Sequence, residues 1–212
     1  MTTWELQQSA ELGYWTAQNM KAIGRQLGFV LRHFFGLPYS FFAPYEVLEI
    51  GTGPVGFLSL FTARRKYGIE PLKEQLEKVF KLPGDVEFIG KRAEEIPLGD
   101  ASVDVILCFN VIPTHVEDSA KCLSEIYRVL KPGGLFVFGM KDDQKDQFHQ
   151  NILSRQQMRK AIAVSFAITR EIDRYRMYGL LCAKPKAEVQ ESYPYQPLDT
   201  GFGDSTGGTT DK

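Results

Sequence analysis

Cysteine and histidine are scarce in this chain of 212 residues, with three of each. Cys108, Cys122 and Cys182 are odd in number, far apart and without a CxxC pair. That excludes a disulfide framework and predicts free thiols in a reducing cytoplasm. His33, His115 and His149 stand at ligand spacing neither from the cysteines nor from one another, so no metal is expected. An excess of charge is missing as well, since 25 Lys and Arg face 26 Asp and Glu for a net charge of −1. Such a balance gives no general attraction to phosphate backbones or anionic membranes, and no nucleic-acid partner is expected. Nothing approaches the roughly 18 consecutive apolar residues of a membrane span. The opening "MTTWELQQSAELGYW" also lacks the basic-then-apolar order of a signal peptide. A cytoplasmic protein without a membrane partner is the expectation.

What is present is ordinary globular composition, 43% hydrophobic and 24% charged. The length suits one domain with a sizeable core and is too short for two ordinary ones. From Thr3 to Phe35 there is no proline, and Leu6, Leu12, Trp15, Ile23, Leu27, Val30, Leu31 and Phe34 recur at helical spacings. Gly13, Gly24 and Gly28 predict two helices with a break. The connector "FFGLPYSFFAPY" packs as a lid on the core or lines an apolar pocket. We take residues 1–44 as a helical cap and connector, 45–186 as the core, and 187–212 as a disordered tail rich in Gly, Ser, Thr, Asp and Pro.

Within the core, "VLEI", "KYGI", "VEFIG", "VDVILCF", "GLFVFGM", "AITREIDRYR" and "YGLLCAKP" read as strands, with helical stretches among them. A helix is expected directly after the glycines that follow "VLEI". "SAKCLSEIYRVL" reads as another, with Leu123, Ile126, Tyr127 and Leu130 on one face, ended by Lys131-Pro132-Gly133-Gly134. "SRQQMRKAIAV" is a further helix with Ser154 as its N-cap. Alternation of this kind predicts an α/β fold: a Rossmann-like, doubly wound, mostly parallel seven-stranded sheet with helices on both faces. Ligands of such sheets bind at the carboxyl ends of the strands, where the strand order reverses.

Gly51-Thr-Gly53-Pro-Val-Gly56 spells GxGxxG, which by itself suits a dinucleotide or any ligand with a carboxylate or phosphate for the free N–H groups of the turn. Glu70, some twenty residues on, is placed to accept hydrogen bonds from ribose hydroxyls, or is an exposed strand-end acid. Glu49 separates the candidates. A carboxylate there repels a pyrophosphate and welcomes a ligand with an ammonium and a sulfonium, as S-adenosylmethionine has. Its alternative is a half-buried acid satisfied by backbone N–H groups.

"VLEIGTGPVG", "IEPL", "RAEEIPLGDASVDVILCFNVI" and "EIYRVLKPGG" occur in order over about 46–140. Together they resemble the motifs of class I S-adenosylmethionine-dependent methyltransferases, most closely the small-molecule group called type 11. The resemblance implies S-adenosylmethionine as cofactor and a small-molecule methyl acceptor. It puts Glu49, Gly51, Thr52 and Gly53 around the methionine part, Glu70 on the ribose, and Pro71, Leu72, Ala93 and Glu94 around the adenine. Asn110 and Val111 then lie beside the transferring methyl. His115 is the candidate general base, and Tyr14 and Trp15 are candidate acceptor-wall residues. Arg92 stands where many members carry Asp, and "NVIPTHV" is one residue longer than the usual Asn-to-His spacing. "NVIP" departs from the Asn-Pro-Pro-aromatic signature of base-methylating enzymes, and Asp142, Asp143 and Asp146 alternate with lysines as a solvated loop does. The rivals are a non-catalytic methyltransferase-like scaffold and an NAD-linked oxidoreductase.

Overall fold

The structure, a computed structural model, describes residues 13, 20–54, 56–141, 153–174 and 177–186. Strand β1 (Glu46–Ile50) is buried from Val47 onward, as a central parallel strand covered on two faces must be. It pairs in parallel with β2 (Arg65–Ile69) and with β4 (Val103–Phe109). β3 (Glu87–Ile89) extends the sheet beyond β2, and β5 (Leu130–Lys141) extends it beyond β4. β6 (Ala167–Arg174) and β7 (Met177–Ala183) complete the far edge, with β7 antiparallel to both β5 and β6. The order is β3-β2-β1-β4-β5-β7-β6, the expected doubly wound, mostly parallel seven-stranded sheet. Its order reverses between β1 and β4, which places a crevice at their carboxyl ends.

Helix α1 (Met20–Phe29) runs into a π-helical turn, Val30–Phe34. α2 (Lys73–Glu77) follows β2. α3 (Ser119–Val129) begins where the Asp118 carboxylate accepts from the amides of Ala120 and Lys121. α4 (Arg155–Ala163) carries the Ser154 N-cap read from the sequence, completed by Gln157 as a capping box. α3 stops at Val129, one residue short of the predicted face, and Leu130 is buried as the first residue of β5 instead.

One expectation fails locally. The helix foreseen after the glycine turn is a single 3-10 turn, Phe57–Leu60. Glu49 accepts from the amides of Phe57 and Leu58, while buried Lys66 donates to the Leu58 carbonyl. Both contacts tie the chain down at once, and Phe61 leaves in extended conformation. Gly24 and Gly28 lie inside α1, and the stretch between Gly13 and Met20, where the predicted break would otherwise fall, lies outside the described residues. At Gly28 a Cβ would come within 2.1 Å of the Tyr39 hydroxyl, so this glycine admits a close neighbour.

The sheet separates two apolar clusters. One joins α3 and α4 to Leu48, Ile106, Phe136, Phe138 and Leu180. The other joins the N-terminal helical segment and connector to Val47, Leu107, Val137 and Ile172. In the connector Phe34, Phe35, Leu37 and Phe42 are buried in that second cluster, so it packs chiefly as core. At the amino ends of the strands, Asp104 accepts from the Glu46 amide and from Lys131. Nearby, Arg128 donates to the carbonyls of Leu98 and Ile96 and to the carboxylates of Asp100 and Glu125.

On the second cluster's face, Gly139 and Gly179 sit opposite each other. The Phe109 ring lies over the first and the Phe35 ring over the second, and the two rings meet edge to face at 5.5 Å. A Cβ at Gly179 would stand 2.6 Å from Phe35. Gly179→Ala is therefore expected to cost about 1–3 kcal/mol through overpacking. The measurement is the denaturant midpoint at constant slope; an unmoved midpoint would show that the Phe35 ring shifts aside freely.

Candidate functional site

The turn after β1 is where the sequence motif becomes a shape. Gly51 and Gly53 have φ of +69° and +53°, the left-handed region that glycine enters without steric cost. Gly56 serves a different purpose. A Cβ there would lie 2.4 Å and 2.8 Å from the Glu49 carboxylate oxygens. The third glycine of GxGxxG thus makes room for a carboxylate of the chain itself.

Glu49 is 4% exposed and accepts from Phe57 N and Leu58 N, both at 3.0 Å. The amides offered by the sequence to a ligand are taken by this side chain, the backbone-satisfied alternative. Loss of water nevertheless dominates its ionisation: burial pushes the carboxyl up to about 8, against the pull of the two amides, and the neighbouring charge of Glu70 adds to the rise. Glu70, at the end of β2, is buried too. Its oxygens accept from Gly53 N at 2.9 Å and Leu72 N at 3.0 Å. Two carboxylates therefore brace the same turn from adjacent strands.

Thr52 lies between them, and its Oγ1 is buried with no hydrogen-bond partner among the described residues. An orphaned hydroxyl is costly unless something supplies a partner. Positive-φ glycines, an orphaned hydroxyl and two acids fit a ligand that is cationic and rich in hydroxyls.

The wall opposite the turn comes from β4. Asn110 takes φ of +55°, its amide donates to the Gly139 carbonyl, and its side-chain oxygen accepts from Lys141 N. Val111 follows, with a methyl 2.3 Å from where a Cβ on Gly51 would be. His115 closes a turn by donating its amide to the Val111 carbonyl, and its Nδ1 lies 2.8 Å from Thr114 Oγ1. Ala93 and Glu94 are buried. Glu94 Oε1 accepts from the amides of Glu117 and Asp118, and Arg92 pairs with Glu117 at 2.6 Å. Pro71 and Leu72 lead into α2, and Leu72 is buried.

The structure thus brings Glu49, Gly51, Thr52, Gly53, Glu70, Leu72 and Val111 together, with Asn110 beside them. Tyr14, Trp15, Asp142, Asp143 and Asp146 lie outside the described residues. Sequence reasoning missed Phe57 and Leu58, whose amides hold Glu49, and the role of Gly56. The only sequence signal for them is their place directly after the glycines. Cys108, Cys122 and Cys182 are buried and free. Burial pushes the thiols of Cys108 and Cys182 up to about 12, so at neutral pH they are inert. No described helix is long and apolar enough to cross a membrane.

Residues 48–138 match the model of the type 11 methyltransferase domain. Over 94 residues the chain is 38% identical to a probable S-adenosylmethionine-dependent methyltransferase of Mycolicibacterium smegmatis. That match covers 43% of this chain and 36% of the relative, so the chain spans only about a third of the relative's length. Among solved structures, the complex of the Haloferax volcanii Trm112 methyltransferase activator with its methyltransferase aligns with a TM-score of 0.64 at 17% identity, covering 82% of this chain and 98% of that one. The [4+2]-cyclase SpnF aligns at 0.59 and 18% identity, covering 78% and 82%. Both likenesses concern the fold. The segment 48–138 is thus similar to methyltransferase domains, the relative in Mycolicibacterium smegmatis being a probable S-adenosylmethionine-dependent one.

The raised Glu49 carboxyl has a consequence for stability. Its ordinary value is 4.5 and its folded value about 8. Its contribution to folding is therefore full below 4.5 and is lost as pH climbs from there through 8. Glu49→Gln is expected to flatten this loss, so that the fall in melting temperature between about pH 5 and pH 8 shrinks. Equal falls in both proteins would mean that the carboxylate is already ionised in the fold at neutral pH.

Proposed function

We propose that the chain transfers a methyl group from S-adenosylmethionine to a small-molecule acceptor. The observation that carries this reading is the pair of buried carboxylates, Glu49 and Glu70, bracing one glycine turn beside the orphaned Thr52 hydroxyl. A pyrophosphate brought to that turn adds negative charge beside two acids already buried and crowded enough to hold Glu49 protonated, which argues against NAD; a sulfonium and an ammonium favour the charged form of both acids. The near-neutral net charge argues against a nucleic-acid acceptor.

Bound S-adenosylmethionine supplies a methyl group already activated on a sulfonium. The tasks left to the chain are binding, alignment and exclusion of water. Thr52, with Gly51 and Gly53, holds the methionine part, and Glu49 balances its positive charge from below the turn. Glu70 accepts from the ribose hydroxyls. Pro71, Leu72 and Ala93 border the adenine, and Glu94 Oε2, which has no hydrogen bond among the described residues, takes the adenine amino group. Asn110 and Val111 form the wall beside the transferring methyl. If the acceptor loses a proton, His115 is placed to take it: its ring is oriented through Nδ1 by Thr114.

Calorimetric titration with S-adenosylmethionine, S-adenosylhomocysteine and NAD tests the reading. The first two should bind, and Glu70→Ala should weaken both by about 10–100-fold, the worth of hydrogen bonds to a charged group. Glu49→Ala should weaken the sulfonium form more than the thioether form. NAD binding alone would overturn the assignment. His115→Ala is expected to lower turnover by about 100-fold or more, with cofactor affinity unchanged; full turnover removes it from the mechanism.

A further inference from the structure

Away from the glycine turn, a cavity of about 310 Å³ opens between the N-terminal helical segment and β6. That is the lower end of the size range of small-molecule sites. Phe29, His33 and Phe34 line one side, and Arg170 to Arg174 the other. The strand's alternation sorts its charges. Glu171 and Asp173 turn toward α4, where Glu171 is bound by Arg159 and the Tyr178 hydroxyl and Asp173 by Arg155. Arg170 and Arg174 alternate with Ile172, which is buried in the cluster beneath the helical segment. Among the described residues Arg170 reaches the Phe35 carbonyl alone, at 3.4 Å, and Arg174 has no ion-pair partner. With both acids paired to α4, this side of the cavity holds two guanidinium groups that have no acidic partner among the described residues. Opposite them, the His33 ring stacks on Phe29 at 4.5 Å, and Phe29 is 48% exposed. The result is an anion seat with an aromatic wall.

Its position in the sheet relates it to the transfer point. β5 and β6 are both antiparallel to β7, so Arg174 lies at the carboxyl edge, as the cofactor turn does. Arg174 is in register with Met177, and Met177 with Lys141; the Lys141 amide in turn donates to the Asn110 side chain. The Arg174 end of the seat and the methyl-side wall are thus on one line along the rim, three strand spacings or about 14 Å apart, while Arg170 lies deeper along β6, in register with Leu181.

We propose that this cavity holds the carboxylate or phosphate end of the methyl acceptor. The proposal rests on the methyltransferase reading above and deepens it: the acceptor is an elongated organic acid, anchored by Arg170 and Arg174, with its nucleophilic atom toward Asn110. Guanidinium forks suit both anions, because each offers paired oxygens to parallel N–H donors.

The test uses phenyl phosphate and benzoate as probes, with phenol as the uncharged control, titrated into the full chain without cofactor and followed by nuclear magnetic resonance. The acids should bind and phenol should not, with the better acid naming the anion class. R170Q/R174Q should weaken the acids at least tenfold while leaving S-adenosylhomocysteine affinity at the wild-type value. Equal binding of acids and phenol, or an unaffected double variant, overturns the anion seat. The second arm incubates the protein with methyl-labelled S-adenosylmethionine and a small-molecule extract. Labelled product retained on an anion exchanger supports the acceptor assignment, and product that passes through overturns it. A wild-type protein that holds phenyl phosphate but not S-adenosylhomocysteine sinks the methyltransferase reading, and the acceptor role with it, independently of the seat.

Discussion

Two backbone amides, those of Phe57 and Leu58, end on one buried carboxylate, and the carboxyl rim of the sheet is organised around that contact. The contact fixes the path of the chain after β1, removes the need for a longer helix, and makes Gly56 indispensable because its missing side chain is where Glu49 sits. The same carboxylate lies in a dry environment close to a second one, a situation that bare amides only partly relieve. A positive ligand relieves it further. Structure and affinity thus draw on one electrostatic imbalance: the turn is folded by the acid, and the acid is left wanting a cation.

On the same face of the sheet, β5 and β7 show a different constraint. Gly139 and Gly179 carry no side chains, and aromatic rings from β4 and the connector fill the space. Phe109 touches Phe57 on one side and Phe35 on the other. The residue after the glycine turn, the residue before Asn110 and the connector are therefore linked through ring contacts alone. Packing at native density transmits shape, since a displaced ring has nowhere to go without moving its neighbour.

Much of this was legible in the sequence, for identifiable reasons. The parallel strands announce themselves because both faces are covered and their runs are apolar throughout, as in "VDVILCF". α3 announces itself through the apolar face of Leu123, Ile126 and Tyr127, and α4 through Ser154, whose cap is local chemistry; the Asp118 cap of α3 shows only in the structure. The glycines and the two acids mark the turn because few residue types fit there. What stayed hidden depends on partners distant in the chain. The 3-10 turn follows from Glu49 and Lys66, on two different strands, and helical periodicity carries no trace of them. Gly28 reads as a helix breaker until Tyr39 is placed against it. Glu94 reads as an adenine contact, yet one of its oxygens is committed to the amides that begin α3. Arg170 and Phe35 meet across 135 positions.

The charged cluster at the amino ends of the strands, where Asp104 gathers the Glu46 amide and Lys131, and Arg128 stitches the loop before β4 to α3, touches no part of the proposed site. One rim of the sheet is a foundation and the other a workbench. Changes at the foundation are judged only by whether the domain stands, and changes at the workbench only by what it can hold. A lineage is thus free to exchange acceptors by redrawing loops at one rim while the opposite rim keeps the fold, so new specificity can arise without first risking collapse.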